Sequence, residues 1–116
     1  MQMLRAIEYL QSDEVTICHR DLNPNNIMIE KLESESDDPD QYQYKLTIID
    51  FNVAKRFVDQ DNGNPLKLMT NTGTAKYQAP EMLGGWMSSY DQRVDLWSAG
   101  AVLYYMLTGG IHAFNF

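Results

Sequence analysis

The stretch His19-Arg20-Asp21-Leu22-Asn23-Pro24-Asn25-Asn26 decides the reading of this 116-residue chain. With Pro24 and three Asn it reads as a loop. Val15–Cys18 before it is short and rich in β-branched residues, and Ile27–Ile29 follows it, so the loop is expected between two short strands. Phosphoryl transfer to a hydroxyl needs a carboxylate that orients the nucleophile and accepts its proton. It also needs oxygen ligands for Mg²⁺ on the phosphates. Asp21, followed five residues later by Asn26, can point both groups at one centre. Taken alone the spacing is weak evidence, because an Asx-rich turn is the better explanation of it.

Outward from the loop, residues 1–11 read as a helix, with Leu4, Ile7 and Leu10 at helical spacing and Met3 beside them. Ser12-Asp13-Glu14 breaks it. Residues 32–41 (LESESDDPDQ) form a solvated acidic insertion, and Tyr42–Ile49 returns as a strand that can pair with Ile27–Ile29 across it. Residues 50–81 show no period and hold Gly63, Pro65, Gly73 and Pro80, which predicts a long irregular segment of the functional or mobile kind. A short helical turn follows Pro80 and stops at Gly84-Gly85. Asp91 is the expected N-cap of the last helix, with Ser89…Gln92 as a rival capping box. That helix runs to about Leu107 and ends at Gly109-Gly110. Val94, Trp97, Ala101 and Tyr105 mark one face, while Val102, Leu103 and Met106 make others apolar, so the helix is expected to be buried.

Composition narrows the function classes. Apolar residues make up 44 %, enough for a core. The net charge of −7 is concentrated in residues 30–40, which alone carry −5. No basic stripe exists, which argues against nucleic-acid binding. The apolar run Val94–Leu107 is too short to span a membrane and contains Asp95. The N-terminus lacks a signal-peptide layout. The chain is therefore expected to be soluble and intracellular, cytoplasmic or nuclear, without membrane or nucleic-acid partners. Cys18 is the one cysteine and His19 and His112 lie far apart, which excludes an internal disulfide and disfavours structural zinc.

Three further segments carry chemistry-bearing residues. In Ile48-Ile49-Asp50-Phe51-Asn52, an Asp ends an apolar strand, either as a metal ligand or as an ordinary strand terminator. Gly73-Thr74-Ala75-Lys76-Tyr77-Gln78-Ala79-Pro80-Glu81 is a loop entering a helical turn. Asp95-Leu96-Trp97-Ser98-Ala99-Gly100 places a carboxylate on an apolar helix, where it must be paired or hydrogen-bonded, and a structural role is favoured.

In this order the four segments resemble the protein-kinase signature set H-R-D-L-x-x-x-N, D-F-G, A-P-E and the D-x-W-S-x-G helix. The resemblance covers Met1 to about Phe114. It implies an α+β fold, a kinase C-terminal-lobe fragment that is mainly helical with short β-hairpins around the catalytic loop and no N-terminal lobe. Residues 1–116 would be one partial kinase domain holding catalytic loop, activation segment, following helices and the acidic insertion 32–41. By resemblance Asp21 is the catalytic base, and Asn26 and Asp50 hold Mg²⁺ with ATP. Arg20 is a phosphate clamp for an activation loop phosphorylated at Thr70 or, second, Thr72. Thr74 contacts the catalytic Asp. Glu81 pairs with an Arg of a later helix. Asp95 braces the backbone at His19 and Arg20, and His19 and Trp97 are structural. The D-L-x-P-x-N loop and the Gly-Thr…Tyr…Ala-Pro-Glu stretch resemble the Ser/Thr type, whose partners are ATP and a protein substrate; subfamily and oligomeric state are not readable.

Departures from the family pattern are specific. Asn23 stands where Ser/Thr kinases have Lys, and loss of such a preorganised charge costs about 10²–10³ in rate. Asn52 stands where the family has Gly, which predicts a stiffer hinge rather than a lost ligand. The Asn26–Asp50 spacing of 24 is about twice the family's usual length, the surplus being the acidic insertion. No Gly-rich phosphate loop and no V-A-I-K strand occur, so the sequence is expected to be an incomplete kinase, inactive as an isolated chain. The alternative is a pseudokinase or binding module, motivated by Asn23 and Asn52.

Overall fold

The computed structural model describes residues 1–33, 43–84 and 89–114. Helix α1 spans Gln2–Leu10, strand β1 Ile17–Cys18, β2 Ile27–Leu32, β3 Gln43–Ile48, β4 Lys55–Arg56 and helix α2 Val94–Leu107. Three-residue 3₁₀ turns lie at Pro24–Asn26 and Ala75–Tyr77, and a four-residue one at Pro80–Leu83. Helix exceeds strand, yet most of 50–81 is irregular, so the expected "mainly helical" character holds only relative to strand. The cause is the glycines and prolines of that segment, which leave no apolar period to bury.

Met3, Ile7 and Leu10 are the buried stripe of α1, while Leu4 is 47 % exposed. This corrects the expected face: at 3.6 residues per turn, positions 3, 7 and 10 line up, and position 4 falls off the stripe. The Gln2 side chain ties α1 to β3, donating from Nε2 to the Tyr44 carbonyl (2.6 Å) and accepting at Oε1 from the Leu46 amide (2.8 Å). At the other end the Gln11 side chain donates to the Gln92 carbonyl (3.0 Å), anchoring the entry to α2.

The expected strand Val15–Cys18 shrinks to Ile17–Cys18, because Thr16 takes a left-handed φ of 54° in the turn that follows α1. Its antiparallel partner is β4, in the segment read as irregular. β2 and β3 form the expected hairpin, with Ile27 opposite Ile48 and Leu32 opposite Gln43. Of the acidic insertion 32–41, residues 34–41 lie outside the described residues.

Two apolar clusters hold these pieces. One joins Met3 and Ile7 of α1, Leu22, Tyr77, and Ala99, Ala101 and Val102 of α2, with Ile27, Leu46 and Ile48 of the hairpin against it. The other joins Cys18, Phe57, Leu68, Ala79, Met82, Tyr90 and Val94. Leu22 thus pins the 19–26 loop between α1 and α2.

α2 buries Val94, Asp95, Ser98, Ala99, Ala101 and Val102 but leaves Leu96, Leu103, Tyr104, Met106 and Leu107 exposed, Leu107 by 78 %. A fully buried helix was expected; small side chains instead make its packed face, and the larger ones look outward. Trp97 stacks on Phe114, ring centroids 5.1 Å apart. Asp91 is not the helix N-cap: Arg93 occupies that position, and Asp91 Oδ1 caps the preceding turn by accepting the Arg93 amide (2.9 Å). The C-terminus closes as expected. Gly109, at φ 71°, allows the Gly110 amide to reach the Tyr105 carbonyl (2.9 Å).

Candidate functional site

The site is assembled on Asp95, which is fully buried at the start of α2. Its Oδ2 accepts the His19 amide (2.7 Å) and its Oδ1 the Arg20 amide (2.9 Å). A rigid helix thereby fixes two successive peptide units of the loop and supports the positive φ of Arg20, 69°. Burial pushes the Asp95 carboxyl upward, and the Arg20 and His19 amides pull against that shift. Burial likewise raises the Cys18 thiol, with Asp95 adding to the effect, so Cys18 is a core residue rather than a reactive one.

His19 is fully buried and joins the loop to the strand end at residue 49. Its Nε2 lies 2.9 Å from the Ile49 carbonyl and its Nδ1 accepts the Asp21 amide (3.2 Å). A carbonyl can only accept, so Nε2 carries the proton, and the ring is held in that tautomer. The His19 ring also meets the Phe51 edge at 4.8 Å. The Ile49 amide donates to the Asn26 carbonyl (2.9 Å), so the residue preceding Asp50 is stitched to both ends of the 19–26 loop.

Asp21 lies at the centre. Its Oδ1 accepts from Thr74 Oγ1 (2.9 Å) and from Asn23 Nδ2 (3.0 Å), while Oδ2 receives one long bond from Asn26 Nδ2 (3.2 Å). Asn26 Nδ2 also donates to the Asp21 carbonyl (2.7 Å), so the amide hydrogens of Asn26 face Asp21 and its carbonyl oxygen is the atom suited to a cation. Asn23, only 4 % exposed, uses Nδ2 a further time on Thr74 Oγ1 (3.1 Å) and Oδ1 to cap the Asn25 amide (2.9 Å). The departure from Lys at this position therefore leaves no hole; the amide binds Asp21 and Thr74 together. Sequence reasoning treated Asn23 only as a missing charge and missed this contact. Its signal was the short Asx side chain beside Pro24, an Asx-turn pattern.

Asp50 is exposed, at φ 60°, and its Oδ1 accepts the Asn52 amide (3.2 Å). The left-handed residue is Asp50, and Asn52 has an ordinary φ, so the site as folded does not require glycine at position 52. Asp50 and Asn26 offer a carboxylate and a carboxamide oxygen, a hard donor set suited to Mg²⁺, which is usually held by one or two protein oxygens plus phosphates and water. Among the described residues no group of three or more His, Cys, Asp or Glu could hold a metal ion without such outside ligands.

The remaining residues lie along the 68–93 stretch. Gly73 packs on the loop at φ 101°, where an added Cβ would stand 2.5 Å from the Arg20 carbonyl oxygen. Gly73→Ala is expected to lose about 1–3 kcal/mol from backbone strain alone, before the clash is relieved. Urea unfolding measures it; a loss below 0.5 kcal/mol, on the order of a neutral surface change, would show the contact to be soft. Thr70 is exposed and Thr72 half-buried, its carbonyl accepting Gln78 Nε2 (2.7 Å). Arg20 Nε donates to the Val53 carbonyl (2.7 Å) and NH1 to the Tyr90 hydroxyl (3.1 Å). Glu81 shares a surface cavity with Tyr90, Asp91 and Arg93. Arg93 pairs with Asp91 at 2.8 Å, and that bond draws the Asp91 carboxyl below its ordinary range. Among the described residues no helix is long and apolar enough to cross a membrane.

Comparison with known proteins matches the same residues. The family model for the protein kinase domain matches residues 1–114. The chain is 38 % identical over 108 residues to the serine/threonine-protein kinase chk-2 of Caenorhabditis elegans, covering 93 % of this chain and 19 % of that protein. It is 37 % identical over 109 residues to the ovarian-specific serine/threonine-protein kinase Lok of Drosophila melanogaster, covering 93 % of this chain and 20 % of the relative. It is 40 % identical over 119 aligned residues to the serine/threonine-protein kinase RAD53 of Saccharomyces cerevisiae, covering 93 % of this chain and 12 % of the relative. The chain thus spans a fifth or less of the length of these relatives. The match runs through the 19–26 loop, the Asp50 strand end, the 73–81 stretch and α2, and the chain belongs to the eukaryotic protein kinase superfamily.

Proposed function

We propose that the chain is the hydroxyl-activating and metal-holding portion of a Ser/Thr protein kinase domain, corresponding to its C-terminal lobe. The reaction is phosphoryl transfer from Mg-ATP to a protein hydroxyl. One observation carries this reading: the Asp21 carboxylate is held by Asn23 and Asn26 of its own loop and by Thr74 of the 50–81 segment, which brings the two segments to one oxygen pair. Oδ1 is committed to two donors and Oδ2 to one long bond, so Oδ2 is the atom that receives the proton of an incoming hydroxyl. Mg-ATP, when bound, supplies the phosphoryl group and neutralises its charge. Asn26 and Asp50 are the oxygen donors toward it. Arg20 is the clamp for a phosphate on Thr70, the more exposed of the two threonines, with Thr72 second. Glu81, exposed on the surface, is the partner for an Arg of a later helix, and Asp95, His19 and Trp97 hold the scaffold.

The names of the relatives support the Ser/Thr type, as does the D-L-x-P-x-N loop. The 116 residues contain no Gly-rich phosphate loop, so the isolated chain is expected to transfer no phosphate. A second reading, a non-catalytic binding module, rests on Asn23, which brings an amide where a cation would neutralise the phosphoryl group. Thermal unfolding of the full-length protein with ATP, with and without Mg²⁺, separates the two. At a nucleotide concentration 100 times Kd, binding stabilises by about 2.7 kcal/mol, a rise of several degrees. A magnesium-dependent rise together with transfer of labelled phosphate to a Ser/Thr substrate supports the kinase. A rise without transfer favours the binding module, and no rise in either case rejects nucleotide binding.

A further inference from the structure

We propose that the Tyr90 hydroxyl is a positioning group that ties residues 68–74 to the 19–26 loop through Arg20, setting the segment on Asp21 without a phosphate. Tyr90 is buried in the cluster around Cys18, Leu68 and Val94, with 7 % exposure. Its hydroxyl donates to the Thr70 carbonyl (2.5 Å) and accepts from Arg20 NH1 (3.1 Å). Its amide donates to the Leu68 carbonyl (2.9 Å). One residue thus holds the segment at positions 68 and 70.

The chemistry suits a phenol. A guanidinium only donates and a carbonyl only accepts, so a group joining them must do both. The bond from Arg20 is charge-assisted, and polarisation of the hydroxyl strengthens its donation to Thr70. Arg20 is itself immobilised: Asp95 holds its amide and Val53 its Nε. The tie therefore runs from α2 through Arg20 and Tyr90 to Thr70. Three residues later Gly73 rests on the Arg20 carbonyl, and Thr74 reaches Asp21. The Gln78 side chain fastens the intervening turn to Asn71 and Thr72. The segment is anchored at both ends, by Tyr90 and by Asp21, and Arg20 touches both anchors. The consequence is that the geometry around Asp21 is preset by hydrogen bonds among the protein's own groups, and a phosphate at Thr70 adds to an ordered segment instead of creating one.

The test is Tyr90→Phe, which keeps the ring in its cluster and the backbone bond to Leu68 and deletes only the hydroxyl. Amide hydrogen exchange and steady-state kinetics are measured on full-length, unphosphorylated protein. Exchange across 69–74 is expected to quicken at least threefold, with α1 unchanged. kcat is expected to fall about tenfold, or 1.4 kcal/mol in barrier, with KM for ATP unchanged. Exchange at 69–74 equal to wild type, or faster exchange spread evenly over the chain, overturns the proposal. So does selective loosening with kcat unmoved in an active wild type. The rate arm rests on the kinase reading; the exchange arm does not. If the wild type transfers no phosphate but Tyr90→Phe still loosens 69–74 selectively, the tie stands and the phosphotransfer is rejected.

Discussion

Asp95→Ala is expected to destabilise the protein by about 3–5 kcal/mol, the largest loss from any single side chain described above. The carboxylate is the acceptor for two successive backbone amides, His19 and Arg20, in a fully buried position. Removing it leaves both donors facing an apolar void. Each orphaned buried donor costs about 1–3 kcal/mol. Against a total stability of about 5–15 kcal/mol, that loss is enough to populate unfolded chains. It also frees the positive φ of Arg20, so the loop should lose order before the rest of the molecule does. Asp95→Asn keeps one acceptor oxygen and is expected to fall between wild type and the alanine variant. Urea midpoints at unchanged m-value measure both. If Asp95→Ala loses under 1 kcal/mol, the helix does not hold the loop in the way described.

Asp21→Asn is expected to lower kcat of the full-length protein by about 10²–10⁴ while leaving Mg-ATP binding intact, the range supplied by general acid–base groups. The substitution conserves shape. Its side-chain oxygen can still accept from Thr74 Oγ1 and Asn23, so the knot of hydrogen bonds survives in part. What is lost is the basic oxygen that takes the proton. A rate within tenfold of wild type, with the fold and the nucleotide affinity preserved, would remove Asp21 from the proposed chemistry. A parallel loss of Mg-ATP affinity would instead point to Asp21 as a metal ligand.

The elements with a strong local signal are legible in the sequence. α2 followed from its apolar run and the two glycines behind it, the β2–β3 hairpin from paired β-branched stretches, and the turn after Pro80 from the proline itself. The 19–26 loop was legible because Asx and Pro punctuate it. What sequence periods could not show is set by distant partners. β4 is Lys55–Arg56, two charged residues without β character, and exists because β1 lies alongside. Which side of α2 is buried depends on α1 and the 75–77 turn, and the small residues won that face over the large ones. Asn23 looked like a deficit because a motif records residue types, whereas its meeting with Thr74, 51 positions away, is a matter of folding. Tyr90 stood outside every motif; only the packing of residues 20, 70 and 90 gives it a role.

Gln2 has a consequence for the company the protein keeps. Its amide engages the Tyr44 carbonyl and the Leu46 amide, the two outward groups that a neighbouring extended chain would recruit along β3. A single side chain therefore imitates one rung of a third strand and blunts that margin of the hairpin against edge-to-edge self-association. Any molecule seeking to lengthen the sheet there would first have to displace the beginning of α1.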